Sequence, residues 1–183
     1  KPTQEGIYRH YMAISEVAPL PVILYNVPAR TGSNVQAATV VRLARESSKF
    51  VAMKEASGDI RQCMEIIRQA PDGFVLLSGD DNMTLPLIAC GAQGVISVIG
   101  QAVPSVFTSM VRAALANDME QARRDHYALV ELTDLIFAQG NPAGIKTALD
   151  VLGITGDALR LPLVQVDAAL REKIQQACSP YRG

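Results

Sequence analysis

Reactive side chains recur where short apolar runs end. Tyr25-Asn26 follows Val22-Ile23-Leu24, Lys54-Glu55 follows Phe50-Val51-Ala52-Met53, Ser78-Gly79-Asp80-Asp81 follows Phe74-Val75-Leu76-Leu77, and Ser97-Val98-Ile99-Gly100 follows Gly94-Val95-Ile96. A lysine leaving an apolar wall is a candidate nucleophile toward a ketone, because a desolvated amine gives up the proton that blocks attack. A tyrosine beside it can relay protons through the carbinolamine and enamine stages of such a reaction. Alternation along a strand puts Tyr25 in phase with Ile23, and Lys54 in phase with Ala52 and Phe50, with Glu55 pointing the other way. Parallel strands lie about 4.8 Å apart, so Tyr25 and Lys54 on neighbouring strands would bring phenol and amine within hydrogen-bonding range. On spacing alone, a lysine simply leaving a strand for solvent is the commoner reading of Lys54. Tyr25 alone reads as a rim residue, and Arg30 either forks onto a substrate carboxylate or solubilises its loop.

Other chemistries find less support. His10 and His126 fall within helical patterns away from the strand ends, which sets aside histidine-based triads. Asp80-Asp81 lacks a neighbouring histidine or third carboxylate, so a helix cap is expected there in preference to a metal site. Cys63, Cys90 and Cys178 are odd in number, scattered and free of CxxC spacing, suggesting neither disulfides nor zinc and fitting a reducing cytoplasm. A net charge of −1 without a basic stripe gives no footprint for nucleic acid. No apolar run approaches the roughly 20 residues that cross a bilayer, and no signal peptide is legible.

The elements that must position these groups alternate in type. Strands are expected near 21–25, 50–54, 74–78 and 94–98, nearly continuous in apolar residues as for a sheet covered on both faces. Between them lie helical patterns over 5–17, 35–46, 59–69 and 83–90, with Asn34 and Ser57 as N-caps and Gly91 as a stop. The rhythm is that of βαβ units on a parallel sheet. From Pro104 the style changes to consecutive helices, a long one to about Phe137, then 145–152 and 167–177. The expected class is therefore α/β, with residues 1–103 forming about four β/α units, half of an eight-unit TIM barrel, and 104–183 a last barrel helix and an all-helical extension. A doubly wound sheet fits less well, because Asn26-Val27-Pro28-Ala29-Arg30-Thr31-Gly32 is not GxGxxG.

Taken in order, Tyr25-Asn26-Val27-Pro28-Ala29-Arg30-Thr31-Gly32, Lys54-Glu55-Ala56-Ser57-Gly58, Ser78-Gly79-Asp80-Asp81 and Gly94-Val95-Ile96-Ser97-Val98 resemble the successive signatures of the dihydrodipicolinate synthase and N-acetylneuraminate lyase family. Lys1-Pro2-Thr3-Gln4-Glu5-Gly6 and Asn141-Pro142 with Lys146 extend the resemblance over essentially the whole chain. It implies a β/α barrel with a C-terminal helical domain and no cofactor. Lys54 would form an imine with pyruvate, Tyr25 would relay protons, and Arg30 would hold the carboxylate of L-aspartate 4-semialdehyde. Gly79 and Ile96 would shape the pocket through backbone groups. The arginine in YNVPARTG and the KEASG after the strand favour the synthase branch, which serves lysine and diaminopimelate biosynthesis, over the sugar-acid lyases. A homotetramer is the family expectation.

Two departures from the family pattern stand out. The late motif Asn141-Pro142-Ala143-Gly144-Ile145-Lys146 lacks a second proline. The chain also opens on Lys1, just past the position of the family's YYN, without counterparts of its first four β/α units. Those units would carry a threonine and second tyrosine of the proton relay, the pyruvate-carboxylate loop and the lysine-feedback residues. The expectation is a partial sequence, inactive alone, with exposed strand edges prone to association. Competing readings are a 2-keto-3-deoxy sugar-acid or N-acetylneuraminate aldolase using the same imine, and a non-catalytic interaction module that keeps Lys54 by descent.

Overall fold

The structure, a computed structural model, describes residues 1–182. It divides into two compact units, Lys1–Ile96 and the residues from Ser97 onward.

In the first unit the expected alternation holds. Helix α1 (Gln4–Val17) starts at Thr3, whose hydroxyl accepts from the Gly6 amide. Strands β1 (Val22–Asn26), β2 (Phe50–Glu55) and β3 (Val75–Ser78) form a parallel sheet in the order β1-β2-β3. The short turn helix α2 (Pro28–Thr31) and helix α3 (Ala37–Glu46) follow β1, helix α4 (Ile60–Gln69) follows β2, and helix α5 (Thr84–Ala89) follows β3. Parallel strands need such crossovers, since a tight turn can only reverse the chain. One layer of core fills the space between sheet and helices. It includes Leu24, Met53 and Leu76 from the strands, Val40 and Leu43 from α3, and Cys63 and Ile66 from α4.

The fourth run, 94–98, is not a full strand. Gln93 donates to the Leu76 carbonyl, Ser78 to that of Gly94, and Ile96 to that of Ser78, yet only the Ser78–Val95 bridge forms. The chain leaves the extended state at Ser97, whose hydroxyl accepts from the Gly100 amide as the 3₁₀ turn Ile99–Gln101 begins. A second difference lies in β2. Val22 pairs with Phe50 but Ile23 pairs with Ala52, so Val51 is an extra residue in the ladder. This bulge puts Phe50 in the helix-facing core, edge-on to Tyr11 with ring centroids 6.3 Å apart, and out of phase with Ala52 and Lys54.

The expected caps also move. Ser57 accepts from the Asp59 amide, and Asp59 is the residue that caps α4 through the Arg61 and Gln62 amides. Asn34 is drawn into side-chain bonds, and the Gln36 amide at the start of α3 is satisfied by Gln4 Oε1 at 3.0 Å. Asp80 accepts from the amides of Asn82 and Met83 in the turn before α5, while the helix's own N-cap, Met83, makes no side-chain capping bond. On the surface Arg42 ties α3 to α1, lying over the Tyr8 ring and pairing with Glu5 and Glu46.

In the second unit the long helix expected to Phe137 is two. Helix α6 (Pro104–Leu115) ends before Asn117, which takes a positive φ of 62°, and Asp118 caps helix α7 (Met119–Phe137) through the Gln121 amide. An asparagine tolerates that backbone better than most residues, and Asn-Asp is the local signal for the break. Helix α7 buries Ala122, Asp125, Leu129, Leu132, Thr133 and Ile136, a helical-period stripe packed on α6, helix α8 (Ala143–Val151) and helix α9 (Ala168–Ala177). Arg171 of α9 pairs with Asp150 of α8 and with Asp157. No described helix is long and apolar enough to cross a membrane.

A Cβ on Gly144 would lie 2.0 Å from the Ile136 carbonyl oxygen, so α8 must separate from α7 to admit one. Gly144→Ala should cost about 3 kcal/mol, the upper end of ordinary overpacking, and a melting curve matching the parent's would contradict this contact. Burial pushes the Cys63 thiol up to about 12, helped by the nearby Glu55 and Asp59 carboxylates, and burial raises Cys178 as well. Both stay protonated at pH 8, where the thiolate is the reactive form. An alkylating reagent at that pH should label only the half-buried Cys90 of the folded chain, and peptide mass mapping reads the outcome.

Candidate active site

The carboxyl ends of β1, β2 and β3 carry the residues singled out by the sequence. Tyr25 and Lys54 are register partners on adjacent strands, as are Asn26 and Glu55, and Leu77 pairs with Lys54. Alternation then sorts them. Ile23, Tyr25, Ala52, Lys54, Val75 and Leu77 share one face, while Leu24, Asn26, Met53, Glu55, Leu76 and Ser78 face the helices.

On the first face the Lys54 amine sits over the Tyr25 ring, 4.2 Å from its centroid. The sequence suggested contact between amine and hydroxyl. The observed contact is with the ring face, whose negative quadrupole attracts an ammonium. Tyr25 keeps 44% of its surface exposed, so the pair is open to a small molecule. Gly79 closes the other side. A Cβ there would meet Ala56 Cβ at 2.8 Å, Lys54 Cε at 3.0 Å and the Glu55 carbonyl oxygen at 3.1 Å. The Gly79 amide donates to that same carbonyl at 2.7 Å. Only a residue without a side chain lets β3 approach the lysine stem this closely.

Ile96 lies at the edge of the sheet on the Lys54 side, half exposed, with its amide on the Ser78 carbonyl. Arg30 is exposed on α2, the turn that Pro28 opens directly after β1 and Gly32 closes at φ 65°. The structure thus brings Lys54, Tyr25 and Gly79 together, sets Ile96 on the same face, and carries Arg30 on the turn that follows.

Histidine placement differs from expectation at one position. His10 helps to wall a cleft of about 430 Å³ that runs between α1, with Ile7 and Tyr11, and the end of β1, with Tyr25 and Asn26. It is therefore near a strand end, although its helical setting in the sequence gave no sign of it. His126 is half-buried against Tyr127, and its burial lowers its pKa, as befits a packing residue. No group of three or more His, Cys, Asp or Glu side chains that could hold a metal occurs among the described residues.

What the sequence did not reveal is the polar layer behind the pair. Asn26 and Glu55 are each only 1% exposed. The Asn26 Nδ2 group donates to both Glu55 carboxylate oxygens at 3.0 Å and to Asn34 Oδ1 at 2.7 Å, while Asn26 Oδ1 accepts from the Val35 amide at 3.0 Å. Gln62 Nε2 reaches Glu55 Oε2 at 2.8 Å, and the Ser57 amide reaches Oε1 at 2.7 Å. Gln4 extends the layer by donating to the Asn34 carbonyl. The available signal was one of phase, because Asn26 and Glu55 continue the apolar positions Leu24 and Met53 on the buried face.

Residues 1–180 match the Dihydrodipicolinate synthetase family. The chain is 51% identical over 176 residues to the 4-hydroxy-tetrahydrodipicolinate synthase of Parabacteroides distasonis, covering 96% of this chain and 59% of that protein. It is likewise 51% identical over 175 residues to the synthase of Phocaeicola vulgatus, with 96% and 59% covered. Among solved structures, dihydrodipicolinate synthase from Aquifex aeolicus superposes with a TM-score of 0.95 at 37% identity, over 99% of this chain and 62% of that one. The Thermotoga maritima enzyme gives 0.95 at 36% identity, over 98% and 62%. The chain thus spans about three-fifths of the length of the relatives it matches, 59% of each of the first two.

Gly79→Ala tests the site geometry directly. The added methyl should destabilise the chain by about 1–3 kcal/mol through overpacking and displace the Lys54 stem from the Tyr25 ring. Loss of the ring-current shift on the Lys54 ε-protons would register the displacement by NMR. An unshifted signal in an equally stable variant would refute the contact.

Proposed function

The chain belongs to the dihydrodipicolinate synthetase family, and from that membership we propose that its protein condenses pyruvate with L-aspartate 4-semialdehyde to give 4-hydroxy-tetrahydrodipicolinate, with Lys54 as the imine-forming nucleophile. The observation that carries this reading is the Lys54 amine resting on the Tyr25 ring at the carboxyl ends of two parallel strands, 4.2 Å from the ring centroid. That end of a β/α barrel is where catalytic groups cluster.

The chemistry proceeds through this chain's own side chains. As an ammonium, Lys54 is held by the ring; as a free amine it attacks the pyruvate keto carbon, forming a carbinolamine. Loss of water from that adduct gives the imine. Removal of a methyl proton then gives an enamine, whose carbon attacks the aldehyde of the second substrate and forms the new C–C bond. The second substrate's amino group finally displaces the Lys54 amine from the imine carbon, which closes the ring and frees the lysine. Tyr25, partly exposed beside the amine, relays protons between these stages. Arg30, on the turn after β1, supplies a guanidinium fork for the carboxylate of the semialdehyde. Gly79 keeps the lysine stem free of a side-chain clash, and Ile96 borders the same face. The scheme requires no cofactor. A homotetramer is the assembly that family membership suggests.

The test is imine trapping in the full-length protein. Borohydride added with pyruvate should leave a reduced pyruvate adduct on the peptide containing Lys54, and Lys54→Ala should leave none. Tyr25→Phe keeps the ring but removes the proton carrier, so turnover should fall by about 10²–10⁴. Absence of any adduct in the unmodified protein would sink the proposal. Turnover with a sugar aldehyde and not with the semialdehyde would reassign it to the sugar-acid aldolases.

A further inference from the structure

Glu55 is a buried carboxylate that the reaction itself does not use. It makes no ion pair with a lysine or arginine among the described residues, and instead accepts four hydrogen bonds, two from Asn26, one from the Ser57 amide and one from Gln62. Burying a charge in this way is costly, so its retention in the helix-facing layer calls for a reason beyond packing.

Position supplies that reason. Asn26 and Glu55 are register partners, and each directly follows a member of the Tyr25–Lys54 pair, which is also in register. Neighbouring residues on a strand point to opposite faces and are joined by one planar peptide. Fastening Asn26 to Glu55 on the helix side therefore fixes the separation and register of Tyr25 and Lys54 on the other side. The main chain of Glu55 is fastened as well, since its carbonyl accepts from Gly79, the residue that lies against the lysine stem. The Asn26 carbonyl in turn accepts from the Ala56 amide at 2.9 Å. Asn34 and Gln62 lock the outer part of the layer by exchanging amide hydrogen bonds with each other, at 2.9 and 3.2 Å.

We propose that Glu55 is a positioning residue, which by joining the ends of β1 and β2 on the helix-facing side holds the Lys54 amine against Tyr25 on the opposite face. This rests on the imine-forming reading of Lys54.

The experiment measures borohydride trapping of pyruvate by the full-length protein across pyruvate concentrations, giving a maximal rate and a half-saturating concentration. Glu55→Gln preserves shape but turns an acceptor oxygen toward its donors as an amide. It should lower the maximal trapping rate about tenfold, with a much smaller change in half-saturation, since one charged hydrogen bond is worth roughly that factor. Exchanging the pair, Asn26→Asp with Glu55→Gln, restores a carboxylate–amide contact and should recover most of the rate. Unchanged maximal rate in Glu55→Gln, or a double variant no faster than the single one, would overturn the proposal even if both melt at lower temperature. Should Glu55→Gln fail to fold, Gln62→Met removes one donor while leaving the carboxylate, and about a threefold fall is expected from one weaker hydrogen bond; a parental rate overturns the proposal here too. No adduct on the unmodified protein would instead remove the imine reading itself, so the two failures are told apart.

Discussion

The carboxylate of Glu55, sealed between sheet and helices with four donors upon it, is the interaction on which the geometry of the first unit turns. It joins elements far apart in sequence. Through Asn26 it reaches β1, through Gln62 it reaches α4, and through Asn34 the layer continues to Gln4 at the start of α1. A carboxylate in that position is tolerable because Asn26, Ser57 and Gln62 all donate to it, and each donor is directed by an element that apolar packing has already placed. Leu24, Met53, Leu76 and Ile66 set the layers, and the polar cluster then sets the register at their ends. Apolar contacts fix which face a side chain takes but discriminate less among shifts that keep the alternation, whereas a carboxylate flanked by amides accepts only one.

That division of labour explains how much could be read from the sequence. Apolar runs and helical periods are local patterns, so the alternation of strands and helices in residues 1–96 and the helical character of the rest were visible in Val22-Ile23-Leu24 or in the α7 stripe from Ala122 to Ile136. The meeting of Tyr25, Lys54 and Gly79 was visible as well, because each lies at or just past the end of one of three neighbouring strands. Details decided by a single side-chain hydrogen bond were not. The run at 94–98 looked like the other three, and only the Ser97 side chain, turning back to the Gly100 amide, ends it early. Asn34 and Ser57 have the composition of helix caps, but nearby Asp59 and the distant Gln4 took the capping contacts.

The polar layer was hidden for another reason. Its members, Gln4, Asn26, Asn34, Glu55 and Gln62, are spread over most of the first unit, and each alone is an ordinary surface residue type. Only the strand register makes Asn26 and Glu55 neighbours. The ring contact of Lys54 was missed similarly: register predicts that amine and tyrosine meet, but not whether the amine meets the hydroxyl or the face.

The extra residue at Val51 bears on how this strand can change over evolutionary time. In a regular strand, the core anchor Phe50 and Lys54, four positions apart, would be obliged to share a face. The bulge breaks that parity, letting Phe50 serve the helix-facing core while Ala52 and Lys54 serve the opposite surface. Val51 therefore works like a slipped tooth in a gear train. Selection can tune the hydrophobic anchor upstream of it without dragging Lys54 out of alignment, whereas drawing Val51 into the ladder as an ordinary paired residue would restore the parity and set the two demands against each other.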